Sequence, residues 1–196
     1  MDIGIVGLGL IGGSLALDLK KRGVAFNVYG LDRSLEHQKQ AKELNLVTDC
    51  LPLNQLIQKV DLIILAIPVH NAQEMIIDIL NDIPQRTYLL DMGSTKSGIC
   101  DIVKDHPKRS YYVACHPMAG TEYTGPNAAV YDLFDQKPVI ICDKEESGNL
   151  ALEAAQQMFQ ALNMRILYMD SKDHDTHAAY VSHISHISSF TLALSV

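Results

Sequence analysis

His116 is preceded by the apolar run Tyr112-Val113-Ala114 and followed by Pro117-Met118-Ala119-Gly120-Thr121-Glu122, which sets it just past a predicted strand in a loop of small residues. Neutral imidazole accepts a proton near neutrality, so a histidine in this position suits a general base, such as one that takes the hydroxyl proton of an alcohol being oxidised. A second set of candidate residues is built from glycine. Gly7, Gly9 and Gly12, in the run Gly7-Leu8-Gly9-Leu10-Ile11-Gly12, lie between a predicted strand at Ile3–Val6 and a helical pattern that includes Ser14–Leu19. There the first glycine permits a tight turn and the second lets backbone approach a pyrophosphate. The third allows close helix–strand packing, and the helix N-terminus faces the anion.

Asp32 follows the glycine run by about 20 residues, at the end of the next predicted strand, where a carboxylate accepts hydrogen bonds from ribose hydroxyls. It favours NAD over NADP, although the neighbouring Arg33 could attract the extra phosphate of NADP. Ligands of such sheets bind outside the carboxyl ends of the strands, which adds Ala66, Ile67 and Pro68, and the run Asp91-Met92-Gly93-Ser94, to the same crevice. His174, His177, His183 and His186, with Asp173 and Asp175, crowd a short stretch further on. On one continuous helix His174 and His183 would fall on opposite sides, so no metal site is expected from them.

The elements that must position these residues alternate in type. Strands are predicted at Asn27–Leu31, Leu62–Ile67, Tyr88–Asp91, Tyr112–Ala114, Val139–Cys142 and Arg165–Met169. Helices are predicted around Glu36–Leu44, Asn71–Leu80, Lys96–Val103 and Leu150–Leu162. Strands alternating with helices imply an α/β fold, a Rossmann-type, doubly wound and mostly parallel sheet. The unbroken apolar run Leu62–Ile67 suggests burial on both faces. At Asp170-Ser171-Lys172-Asp173 the character changes to a helix start, with a capping aspartate and acid in the first turn. The expected division is therefore a nucleotide-binding domain over 1–169 and, over 170–196, the first helix of an all-helical domain. Ser182 to Val196 lacks a stop signal, so the chain reads as ending inside a helix.

Composition excludes several classes. A net charge of −7 over 196 residues, 47% of them hydrophobic, carries no basic footprint for nucleic acid. Four scattered cysteines without a C-x-x-C pair fit a reducing cytoplasm. The N-terminus has no basic leader, and no apolar run approaches the roughly 20 residues that span a bilayer. A soluble cytoplasmic protein with a small-molecule substrate is expected.

Four motifs, in this order and spacing, resemble the prephenate/arogenate dehydrogenase family: Gly7-Leu8-Gly9-Leu10-Ile11-Gly12-Gly13-Ser14, Asp91-Met92-Gly93-Ser94-Thr95-Lys96, His116-Pro117-Met118-Ala119-Gly120-Thr121-Glu122 and Ser182-His183-Ile184-Ser185-His186. The resemblance implies NAD-dependent oxidative decarboxylation of prephenate to 4-hydroxyphenylpyruvate in tyrosine biosynthesis, with arogenate as the alternative substrate. It implies that His116 is the catalytic histidine that hydrogen-bonds the ring hydroxyl, and that Ser94 orients this histidine and the nicotinamide. His183 and His186 would bind substrate, Glu122 would border the pocket entrance, and the full-length protein would be a homodimer. The family's substrate-binding arginine in a glycine-rich helical segment has no counterpart among Arg22, Arg33, Arg86, Arg109 and Arg165. The 196 residues are thus expected to bind cofactor and to turn over poorly. A 3-hydroxyacid dehydrogenase and a non-catalytic NAD-sensing module are the competing readings; the first would use a helix lysine where this chain has histidines, and the second would be indifferent to loss of His116.

Overall fold

The computed structural model of the chain describes residues 1–180. Along it run β1 (Asp2–Val6), α1 (Leu10–Lys21), β2 (Asn27–Leu31), α2 (Leu35–Glu43), β3 (Asp49–Cys50), α3 (Leu53–Lys59), β4 (Leu62–Leu65), α4 (Val69–Asp82) and β5 (Tyr88–Asp91). They are followed by α5 (Ser97–Val103), β6 (Tyr112–Pro117), β7 (Pro138–Cys142), α6 (Asn149–Ala161), β8 (Arg165–Met169) and α7 (Ser171–Ala178). Among the described residues, eight strands make one sheet in the order β3-β2-β1-β4-β5-β6-β7-β8. Neighbours are parallel except β6 and β7. This is the expected doubly wound, mostly parallel sheet.

Alternation along the strands sends side chains into two cores. Ile3, Ile5, Leu62 and Ile64 pack with Leu15 and Leu19 of α1, Ala41 of α2 and Phe159 of α6. Val6, Ile63 and Leu65 pack on the other face with Leu56 of α3, Ile76 and Leu80 of α4 and Ile99 of α5. All four residues of β4 are buried, which is why that stretch reads as an unbroken apolar run. Each such side chain contributes about 1.5–3 kcal/mol on burial. Because β1 lies between β2 and β4, the crossovers leave it in opposite directions and open a crevice at the carboxyl ends of β1 and β4.

Several boundaries differ from expectation: β4 stops at Leu65 rather than Ile67, and α4 runs from Val69 to Asp82 rather than from Asn71 to Leu80. His116 lies within β6 rather than past it, because β7 folds back antiparallel and pairs His116 with Ile140 and Pro117 with Val139. The short β3, paired only through Asp49 and Cys50, and the seven-residue α3, held by buried Leu56 and Ile57, have too few residues to show a period. Asp170 caps α7 as expected, accepting from the backbone N–H groups of Lys172 at 2.8 Å and Asp173 at 3.2 Å.

Between β6 and β7 the chain makes a long excursion, residues 118–137, that crosses to the first helix. The N–H of Val130 donates to Ser14 Oγ at 3.0 Å, and the N–H of Asp132 donates to the buried Asp18 carboxylate at 3.0 and 3.1 Å. Asp132 in turn pairs with Lys21 and Arg22 at 2.7 and 2.9 Å. Burial pushes the Asp18 carboxyl above the usual carboxylate range, partly offset by the N–H of Asp132. Among the described residues no helix is long and apolar enough to cross a membrane, and Cys50, Cys100, Cys115 and Cys142 are free thiols.

Candidate active site

The glycine turn sits where β1 hands over to α1. Gly7 has φ +96°, and a Cβ there would stand 2.4 Å from the Ala66 carbonyl oxygen. A Cβ on Gly12 would lie 1.9 Å from the Gly7 carbonyl oxygen, so helix and turn approach only because both residues are glycine. Gly9 is different: a Cβ there would meet nothing within 4 Å. It would project into open space beside a cavity of about 380 Å³ whose walls include Gly7, Gly9, Asp32, Arg33, Ala66, Ile67 and Pro68. Gly9 N-caps the twelve-residue α1 without a side-chain hydrogen bond, which leaves the first-turn N–H groups for an anion. These residues could hold a dinucleotide, whose pyrophosphate would face Gly9 and the α1 N-terminus.

Asp32 is already at work in the turn. Its Oδ2 accepts from the N–H of Leu8 and its Oδ1 from the N–H of Ser34, both at 2.9 Å. His37 Nδ1 stands 3.4 Å from the same carboxylate and lines the same cavity. The Leu8 side chain is fully buried, whereas Leu10 and Ile11 begin α1 half-buried.

A second cavity, of about 320 Å³, lies at the carboxyl ends of β5 and β6. Ser94, Thr95, His116, Met118, Asp175 and Ala178 are among its lining residues. Parallel pairing of β5 with β6 places Ser94 and His116 at the same edge of the sheet as the glycine turn. His116 Nδ1 lies 2.9 Å from Nε2 of His174, which is wholly buried in α7, and His174 Nδ1 lies 2.8 Å from Asp175 Oδ1. Asp175 also accepts from the N–H of Lys96 at 2.7 Å and from the N–H and Oγ of Ser97 at 2.9 and 2.5 Å, so it caps α5 from outside that helix. Burial alone would raise the Asp175 carboxyl, but Ser97, the two backbone N–H groups and His174 together hold it below the usual carboxylate range.

Beneath His116 the site rests on a buried ion pair. Lys96 is wholly buried and pairs with the Asp91 carboxylate, and its Nζ donates to the Cys115 carbonyl at 2.9 Å. Asp91 also accepts from Tyr112 Oη at 3.0 Å and from the N–H of Gly93 at 2.8 Å. Burial, the neighbouring His174 and the Lys96 ammonium lower His116 to about 4, so its ring is neutral at physiological pH. Neutral imidazole is the state that can accept a proton.

The sequence reading thus finds His116 and Ser94 in one cavity and Gly7, Gly9, Asp32, Arg33, Ala66, Ile67 and Pro68 in the other. Glu122 is exposed, two residues beyond Gly120 at the rim of the His116 cavity. His183 and His186 lie outside the described residues. Sequence reasoning offers His174 and Asp175 only as candidate metal ligands, and it gives Asp91 and Lys96 no part in holding His116.

The model of the prephenate dehydrogenase nucleotide-binding domain matches residues 15–168. A prephenate dehydrogenase from Lactococcus lactis is 32% identical over 174 residues, covering 87% of this chain and 47% of that protein. The chain spans about half the length of that relative and of a Bacillus subtilis prephenate dehydrogenase. Among solved structures, Synechocystis arogenate dehydrogenase superposes with a TM-score of 0.87 at 28% identity, covering 100% of this chain and 69% of the other. A prephenate dehydrogenase from A. aeolicus, solved in complex with hydroxyphenyl propionate and NAD+, shares the fold with a TM-score of 0.88 at 24% identity, covering 100% of this chain and 68% of that one. The chain belongs to the prephenate dehydrogenase family, and its matched residues form the nucleotide-binding domain of that family.

Proposed function

We propose that this chain is the cofactor-binding part of an NAD-dependent dehydrogenase that converts prephenate to 4-hydroxyphenylpyruvate in tyrosine biosynthesis. The observation that carries the reading is His116: a neutral histidine facing a cavity at the same carboxyl edge of the sheet as the dinucleotide cradle. NAD supplies the hydride acceptor when bound. Gly7, Gly9 and the α1 N-terminus would hold its pyrophosphate, and Asp32 would receive the ribose hydroxyls, which would disfavour the extra phosphate of NADP.

His116 accepts the ring hydroxyl proton as the carbon bearing that hydroxyl is oxidised to a ketone. The ring double bonds link the ketone to the quaternary carbon. When the carbon–carboxylate bond breaks and carbon dioxide leaves, the bond's electron pair therefore runs to the ketone oxygen and the ring becomes aromatic. The resulting phenolate takes a proton back from His116. Ser94 helps to orient the histidine and the nicotinamide. Glu122 borders the pocket at the rim of the His116 cavity, and His183 and His186 bind substrate from a second domain that begins at residue 170. The enzyme works as a cytoplasmic homodimer, in keeping with its free thiols.

The names of relatives leave arogenate as a second reading, because a structural neighbour at 28% identity is an arogenate dehydrogenase. Initial rates of reduced-cofactor formation by the full-length protein, with prephenate and arogenate and with NAD and NADP, test both. NAD-linked turnover of prephenate, lost in His116→Asn, is the expected result. No turnover of either compound by folded, NAD-binding protein would overturn the assignment.

A further inference from the structure

A buried file of three side chains, His116, His174 and Asp175, runs from the His116 cavity to the N-terminus of α5. We propose that His174 and Asp175 are positioning residues that fix the tautomer of His116, with Nε2 bare toward the cavity, and that His174 takes over the positive charge during turnover. This rests on the reading of His116 as the proton acceptor.

The direction of each hydrogen bond follows from the far end. Asp175 is held ionised by the donors around it and can only accept, so His174 Nδ1 carries a proton and donates to Asp175 Oδ1 at 2.8 Å. A His174 ring that carries this one proton presents a bare Nε2 toward His116. At 2.9 Å from that nitrogen, His116 Nδ1 must be the donor. The remaining nitrogen of His116, Nε2, is then an acceptor. The groups packed around the pair are Asp175 on α7, Lys96 in the loop before α5 and Asp91 at the end of β5, the last two already paired with each other.

The same file resolves a difficulty of the site. A ring so unwilling to hold charge beside Lys96 is a poor final resting place for a proton. When Nε2 of His116 gains the substrate proton, the Nδ1 proton can pass along the 2.9 Å contact to His174 Nε2. His116 then ends neutral, and the positive charge sits on His174 against the Asp175 carboxylate. One proton enters the file at His116 and one positive charge appears at His174, and the same path returns the proton to the phenolate oxygen that decarboxylation leaves, so the file is restored. Asp175 is itself fixed by Lys96 N–H and Ser97, which ties the file to the Asp91–Lys96 segment that also carries Ser94.

The test is ¹⁵N NMR of the histidine rings in the full-length protein at neutral pH, together with kinetics of variants. The wild type is expected to show a protonated-type Nδ1 and a bare Nε2 for His116. Asp175→Asn presents an amide N–H to His174, inverts both tautomers and lowers kcat by about 10²–10⁴, as the equivalent change does in serine-protease triads, with the affinity for NAD unchanged. His174→Phe is expected to lose about 10²-fold or more in kcat, while His174→Gln, whose amide oxygen still accepts from His116 Nδ1, recovers part of the loss. A wild-type spectrum with the proton on His116 Nε2, or kcat of both His174 variants within threefold of wild type, overturns the proposal. The spectrum needs no substrate, so it decides the tautomer even if prephenate turns out not to be turned over. It and the His174 pair also stand should Asp175→Asn fail to fold.

Discussion

The two cavities at the carboxyl edge of the sheet are made of different materials. The dinucleotide cleft is glycine backbone and apolar wall, with Asp32 and His37 at one side. The His116 cavity is floored by charged and polar side chains from β5, β6, α5 and α7 that hold one another. Backbone geometry suits a site that must bind a large anionic molecule and release it. A network of interlocked side chains suits one that must keep a single ring in one protonation state. The first tolerates changes that keep its shape, and the second depends on every member.

Several substitutions would sharpen or break that contrast. The largest effect is expected from His116→Asn, which should reduce turnover of prephenate by about 10²–10⁴ while leaving the dissociation constant for NAD within twofold, read by initial rates and fluorescence titration. If NAD affinity fell with turnover, the two cavities would not be separable in the way described. Next comes Lys96→Met, which strands the Asp91 carboxylate inside the protein; chemical denaturation should report a loss of about 3–5 kcal/mol. Gly9→Val should do the reverse of Lys96→Met. With no atom near its Cβ, the fold should keep its melting temperature, while NAD affinity drops about tenfold or more. A melting temperature lowered by many degrees would show that Gly9 serves the fold and not the cleft.

The smallest effect concerns pH. His116 is held near 4 in the folded protein against 6.5 ordinarily, so between these values the unfolded chain binds more protons. The stability tied to its neutral ring is complete above about pH 6.5 and declines as the pH falls toward 4. Urea unfolding at pH 7 and pH 5 should show a smaller difference in His116→Asn than in the wild type. An equal difference in both would mean that the burial of His116 carries little of the acid sensitivity.

The same contrast governs what can be read from sequence. The glycine cleft is local: Gly7, Gly9, Gly12 and Asp32 act within one strand–helix–strand unit, and their spacing states their purpose. The parallel sheet was legible for a similar reason, since apolar strands such as Leu62–Leu65 alternate with periodic helices. The His116 network is not local. His116 and His174 are 58 residues apart, and Asp175 meets Lys96 across 79. No periodicity records such a meeting, because it depends on how β6, α5 and α7 pack. Lys96 was hidden for a further reason, in that a lysine reads as surface until a buried carboxylate partner is found.

The excursion that ties Val130 and Asp132 to Ser14 and Asp18 has a consequence for the order in which the chain can mature. These bonds join residues 116 and 114 positions apart, so Asp18 in α1 is synthesised well before the segment that meets it. At about 5–20 residues per second, the segment that satisfies Asp18 follows on the order of ten seconds later. Until then a carboxylate destined for the interior has no N–H to receive, so the first helix can form but cannot finish docking. Completion of the N-terminal half therefore waits for the second, and the two halves of the sheet should gain protection from hydrogen exchange together.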